Sequence, residues 1–135
     1  MKVNLVATVL GLGLTASLAP LLAHHSVAAQ YDISKTITIQ GAVTKTEWLN
    51  PHARVWVDAK NDDGTISNWE MELPPPNSLK WTEGIGKDFV KQGDQITVSV
   101  WRAKDGSRLA NALTLTLPDG RILKFGQWME ANPIK

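Results

Sequence analysis

Cysteine is absent from this 135-residue chain, tyrosine occurs once and phenylalanine twice. Without cysteine there is no disulfide framework, no thiolate metal site, no cysteine nucleophile and no thiol redox chemistry. An excess of charge of one sign is missing too. The chain is formally +1 at pH 7. Its first 23 residues carry one charge, Lys2; 14 Lys and Arg less that one leave 13 against 13 Asp and Glu, a net charge of zero. A neutral domain lacks the basic field on which binding to nucleic acid or to an anionic membrane draws. Nucleic acid is therefore not expected as a partner, nor is a membrane once the leader is removed. Internal repeats, low-complexity tracts, a serine-centred nucleophile motif, a phosphate loop and a zinc-protease signature are all absent. A stand-alone enzyme is not expected of so small a domain without them.

What is present begins with a leader. Met1-Lys2 is a short positive start, and Val3 to Ala23 runs without a charge, rich in leucine and valine, with Gly11, Gly13 and Pro20. That is the layout of a secretory signal, and the glycines, the proline and the alanines that follow favour cleavage over a retained anchor. Export to the periplasm is the expectation. Two cuts compete: after Ala23, with Leu21 at the third position before the bond, or after Ala29, where Val27-Ala28-Ala29 better matches the small-x-small rule. The first leaves His24 as the amino terminus, followed by His25; the second discards both.

From Thr36 onward the chain reads as strands. Ile37, Ile39 and Val43 alternate with Thr36, Thr38, Gln40 and Thr44, the period-two signature of a half-buried strand. The phase slips near Glu47-Trp48, as a bulge would make it, and Asn50-Pro51 marks a loop. A second strand carries Val55, Val57 and Ala59. The Asn61-Asp62-Asp63-Gly64 hairpin turn leads to a third, with Trp69, Met71 and Leu73 on the apolar face. Pro74-Pro75-Pro76 stops the sheet, and Asn77 or Ser78 is placed to cap a short helix over Leu79 to Trp81, with a further turn near Asp88 to Val90. Ile96, Val98 and Val100 form a fourth strand; Leu109, Leu113, Leu115 and Leu117 a fifth; Ile122, Leu123 and Phe125 follow a turn at Pro118-Asp119-Gly120. Three strands, a helical segment and two or three more strands describe an all-β, OB-like Greek-key barrel with a short helical insert. An immunoglobulin-like sandwich would need about seven strands and no insert. The organisation is a leader over 1–23, one barrel over 24–125 and a loosely ordered tail over 126–135.

Three residues invite metal chemistry. His24, His25 and His52 are the only histidines, and neutral imidazole is the commonest protein ligand for copper, nickel and zinc. Cleavage after Ala23 would give His24 both a free α-amine and a ring, and His52, from the Asn50-Pro51-His52 loop, would complete a T-shaped three-nitrogen copper site, with His25 as an alternative ligand. Cleavage after Leu22 would instead place a histidine third and allow a square-planar amine–amide–imidazole site, but leucine is a poor residue before a cleaved bond. The plain alternative is that His24 and His25 are polar residues at the end of a leader and that His52 hydrogen-bonds a loop carbonyl.

Six tryptophans form the second group of candidates. Trp69 is in phase with Met71 and Leu73 and reads as core. Trp56 and Trp101 are out of phase with their apolar neighbours. With Trp48 and Asn50 of the loop they offer a surface for a flat ligand or a periplasmic partner protein, unless a terminal segment covers them. Glu47, Asp58, Glu70 and Glu72 read as a solvated strand face, since Glu70 and Glu72 are alternate residues of one strand; a glycosidase-type carboxylate pair is the sharper alternative.

The segments His24-His25-Ser26-Val27-Ala28-Ala29-Gln30-Tyr31-Asp32, Lys35-Thr36-Ile37-Thr38, Gly41-Ala42-Val43-Thr44, Glu47-Trp48-Leu49-Asn50-Pro51-His52-Ala53-Arg54 and Trp101-Arg102-Ala103-Lys104-Asp105-Gly106-Ser107, where the pattern at position 101 is Tyr or Trp, resemble a family of small exported bacterial proteins classed as a domain of unknown function. The resemblance spans roughly residues 24 to 125. It implies export to the periplasm, a small β-barrel-like domain and no assigned activity. It also treats His24-His25-Ser26 as part of the protein, which favours cleavage after Ala23.

Overall fold

The structure is a computed structural model that describes residues 27–126. A short helix α1 (Val27–Gln30) runs directly into β1 (Tyr31–Glu47), followed by β2 (Arg54–Lys60), β3 (Ile66–Glu72), α2 (Pro76–Thr82), β4 (Gln95–Ala103), β5 (Leu109–Thr116) and β6 (Ile122–Lys124). The strand order is β3-β2-β1-β4-β5-β6, and a parallel pairing of β3 with β5 closes the first five strands into a ring. Closure removes the free edges that an open sheet of this size would expose. This is the OB-like barrel, with its helix between the third and fourth strands.

The 17-residue β1 makes closure feasible because it serves two neighbours. Thr36 to Ala42 pair with β4, while Gly41 to Glu47 pair with β2. Gly41 and Ala42 stand at the handover and pair on both sides. A Cβ added to Gly41 would overlap the carbonyl oxygen of Asp58 and lie 2.7 Å from its carbon, so only glycine lets the two backbones approach this closely.

The core consists of inward residues from every strand: Ile39 and Val43, Val55, Val57 and Ala59, Met71, Ile96, Val98 and Val100, Ala110, Ala112 and Leu115, and Leu123. Leu79 of α2 and Val90 and Phe125 close it off. Each fully buried Val, Leu or Met contributes about 1.5–3 kcal/mol relative to exposure.

Several local expectations are corrected. β1 begins at Tyr31 rather than Thr36, and its register shift against β2 lies between Val43 and Lys45 rather than at Glu47-Trp48. A second shift, between Ser99 and Val100 against β5, inserts Leu113 as an extra residue, so Ala110 and Ala112 point inward where Leu109 and Leu113 were expected. Neither Asn77 nor Ser78 caps α2: the helix starts earlier, at Pro76, with Pro75 at the cap and proline in the first turn. Proline's fixed φ suits that position, and its missing N–H would have no intrahelical partner there. Leu79 is buried and Trp81 is 85% exposed. Gly86 and Phe89 close a hydrogen-bonded turn near the expected second one. Trp69 is half-buried rather than core: it packs on the core cluster while the Arg102 guanidinium lies 5.4 Å from its ring centre.

Candidate functional site

At one end of the barrel the triproline segment halts β3, and the ladder ends with Leu73 donating to the Ala53 carbonyl at 2.9 Å and Ala53 donating to the Pro74 carbonyl at 3.3 Å. This short extension brings the β1–β2 loop against the end of β3, so that His52 stands beside Glu72. The Asn50-Pro51 peptide within the loop is cis. His52 Nδ1 lies 3.2 Å from the Leu73 carbonyl oxygen. A carbonyl only accepts, so Nδ1 carries the proton and Nε2 is left to face outward from that bond. Nε2 is 3.4 Å from Oε1 of Glu72.

The other Glu72 oxygen, Oε2, accepts a hydrogen bond from the hydroxyl of Tyr31. Tyr31 is buried yet lies outside the main core cluster. Burial first, and the Glu72 hydrogen bond second, push its phenol far above the usual range, so it remains a donor at all ordinary pH. Glu72 thus divides its carboxylate between a fixed phenol and an imidazole, with its side chain only 15% exposed and that of His52 30%. Arg54 is the register partner of Glu72 on β2, but its guanidinium turns to Glu70, 3.3 Å away. Tyr31–Glu72–His52 is a half-buried polar cluster joining the start of β1, the end of β3 and the β1–β2 loop.

The cluster lies where the amino-terminal arm enters the fold. The Ala28 carbonyl accepts from Lys104 Nζ at 2.6 Å and the Gln30 carbonyl from the Lys104 backbone at 2.9 Å. These bonds tie α1 to the β4–β5 turn, and Tyr31 follows immediately. His24 and His25 lie outside the described residues, as does the tail beyond residue 126. Among the described residues no three of His, Asp and Glu gather as a metal-binding group, and no helix is long and apolar enough to cross a membrane.

The tryptophans are dispersed. Trp48 is half-buried against the core and tilted beside Phe89, with ring centres 5.9 Å apart. Trp56 lies on the outer face beneath Lys45 Nζ, 4.4 Å above its ring. Trp101 pairs with Thr36 on one side and Asn111 on the other, and Asn50 is exposed. Reasoning from sequence missed Tyr31 and Glu72 as site residues. Glu72 looked like any polar residue of an alternating strand, and only the position of Tyr31 seven residues after His24 connected it with the histidines.

Ring closure and a helix after the third strand define the molecule as an OB-like barrel with a polar cluster at one end. The chain belongs to the family of unknown function DUF6152, whose family model matches residues 13–112. No curated protein matches it at a significant level. Among solved structures it is similar to the mitochondrial single-stranded DNA-binding protein Rim1 of S. cerevisiae. One crystal form has 9% identity and a TM-score of 0.47, covering 62% of this chain and 91% of that one. A second has 11% identity and a TM-score of 0.45, covering 68% and 97%. The expectation about partners is corrected by this finding. The solved structures just named are single-stranded DNA-binding proteins, which runs against the expectation that nucleic acid is no partner. At these identities the likeness concerns the fold, and it assigns this chain no partner of any class.

Proposed function

We propose that this is an exported, non-enzymatic copper-binding accessory protein of the periplasm, with its site formed by His52 and the histidines of the amino-terminal arm. The observation that carries the reading is the fixed His52 ring: its Nδ1–H is held by the Leu73 carbonyl, which directs Nε2 to a carboxylate that Tyr31 anchors from the other side. A ring oriented by a backbone acceptor on one nitrogen is how ligating histidines are commonly held. The hydrogen bond to a carbonyl, the plain alternative for His52, is thus present and compatible with ligation through the other nitrogen.

Tyr31 also supplies the link to the arm. It touches Glu72, and His24 is seven residues before it in the chain, a stretch of at most about 25 Å when extended. Cleavage after Ala23 is supported by the Ala28 carbonyl, which accepts from Lys104; cleavage after Ala29 would remove that bond. In this reading His24 contributes its amine and ring, His52 its Nε2, and His25 an alternative ring.

The test is a competitive Cu(II) titration of the protein beginning at His24 and of the same protein carrying one extra residue before it. The reading predicts clearly weaker binding in the extended form, because its α-amine is no longer at His24. Equal affinity would eliminate amine coordination.

A further inference from the structure

Independently of the copper reading, we infer that the start of the chain is a clasp on the barrel, the Tyr31–Glu72 bond holding shut the seam between β3 and β5. That seam is the weakest closure of the ring. It joins its strands in three pairs, Glu70 with Leu109, Met71 with Ala110 and Glu72 with Asn111, whereas β2 and β3 pair in seven and β4 and β5 in six. It is also parallel where those ladders are antiparallel, and parallel pairing is slightly less stable per residue. Opening it would bare Met71 and Ala110, both fully buried.

The bond lies across this seam. In the ring β3 hangs from β2, and β5 hangs from β4, so opening moves these two halves apart. The arm belongs to the β4 half. Tyr31 pairs with Ala103 at the end of β4, and Lys104 holds the carbonyls of Gln30 and Ala28 at 2.9 and 2.6 Å. On the other side, β1 pairs with β2 only from Gly41 onward. Yet the Tyr31 hydroxyl donates to Glu72 of β3, so separating the halves has to break that bond. None of the residues of α1 is buried, whereas Tyr31 is 2% exposed, which makes Tyr31 the anchor of the described arm. Asp32 to Lys35 fall within the register shift and have no register partner in β4. They link the clasp to the rest of β1 without fixing it there. Both expected cuts, after Ala23 and after Ala29, leave Tyr31 in the chain.

The test is amide hydrogen exchange, read residue by residue by NMR, in the wild type and in Tyr31→Phe, which keeps the ring and removes the hydroxyl. Two amides of the β3 segment serve as the reporters. The Glu70 N–H is bonded across the seam to the Arg108 carbonyl, and the Leu73 N–H is bonded away from it, to the Ala53 carbonyl. In the wild type Glu70 should be less protected than Leu73, with an exchange rate little affected by low urea, the mark of local opening. In Tyr31→Phe its exchange should accelerate about 10- to 100-fold, the equivalent of a lost hydrogen bond to a charged acceptor. Equal protection of the two amides in the wild type overturns the inference, because the seam then opens only with the whole barrel. An unchanged Glu70 rate in the variant also overturns it, because the bond then survives opening. Should Tyr31→Phe not fold, Glu72→Gln takes its place, with acceleration at Glu70 expected and an unchanged rate contradicting the clasp.

Discussion

Tyr31 is the residue on which the site turns, and as the sole tyrosine of the chain it can be followed by itself. Burial and the Glu72 bond hold its phenol far above the ordinary value of 10.0. The native state therefore keeps this proton at pH values where the unfolded chain has released it. Protons bound in excess by the native state make stability fall as pH rises, so the contribution is complete below about pH 10 and is lost progressively above it. The tyrosinate absorbance of the folded protein should stay silent through the range where a free phenol ionises, and appear only as the protein unfolds. Tyr31→Phe should abolish the alkaline slope and cost about 1.5–3 kcal/mol at neutral pH, the usual worth of a hydrogen bond to a charged acceptor. An ordinary tyrosine titration in the native protein would refute the burial of this hydroxyl. The signal for Tyr31 in the sequence was faint. A lone aromatic at the end of a leader-like segment carries no periodicity, and its partner Glu72 lies 41 residues away.

Among the elements, β1 does the most to set the architecture, and its handover at Gly41 is the point of least tolerance. Gly41→Ala places a methyl group against the Asp58 carbonyl, and overpacking of this kind costs about 1–3 kcal/mol or more. The expected outcome is a lower urea midpoint with an unchanged slope; an unaltered midpoint would show that β1 and β2 approach less closely than described. Most strands were legible because residues such as Val55, Val57 and Ala59 alternate strictly, and the turns because Asp63-Gly64 and Asp105-Gly106 carry their own chemistry. Asp63 and Asp105 each accept from the backbone and hydroxyl two residues on, the local bonding that makes such residues turn formers. The bulges were harder to locate. Leu113 is an inserted residue between two correct phases, and an apolar side chain at the insertion reads as part of the alternation. The start of α2 was hidden for a different reason: polar candidates drew attention to Asn77 and Ser78, whereas the chain used the fixed backbone of Pro76.

For the whole molecule, ring closure by β3 and β5 gathers residues that the chain separates widely: Tyr31 at the start of the barrel, His52 in the first long loop and Glu72 at the end of the third strand. The alternating pattern made the barrel legible, but closure, which creates the cluster, depends on long-range pairing that no local pattern records. A cut after Ala23 would retain the Ala28 carbonyl that Lys104 holds and leave two histidines on an arm entering beside His52 and Glu72. The central claim is that export creates the copper site, and it is tested most directly by the native mass and metal content of the protein isolated from periplasm without a chelator. The account predicts a chain beginning at His24 and carrying one copper ion. A chain beginning at Gln30, or one beginning at His24 with no bound copper after exposure to the metal, would contradict it.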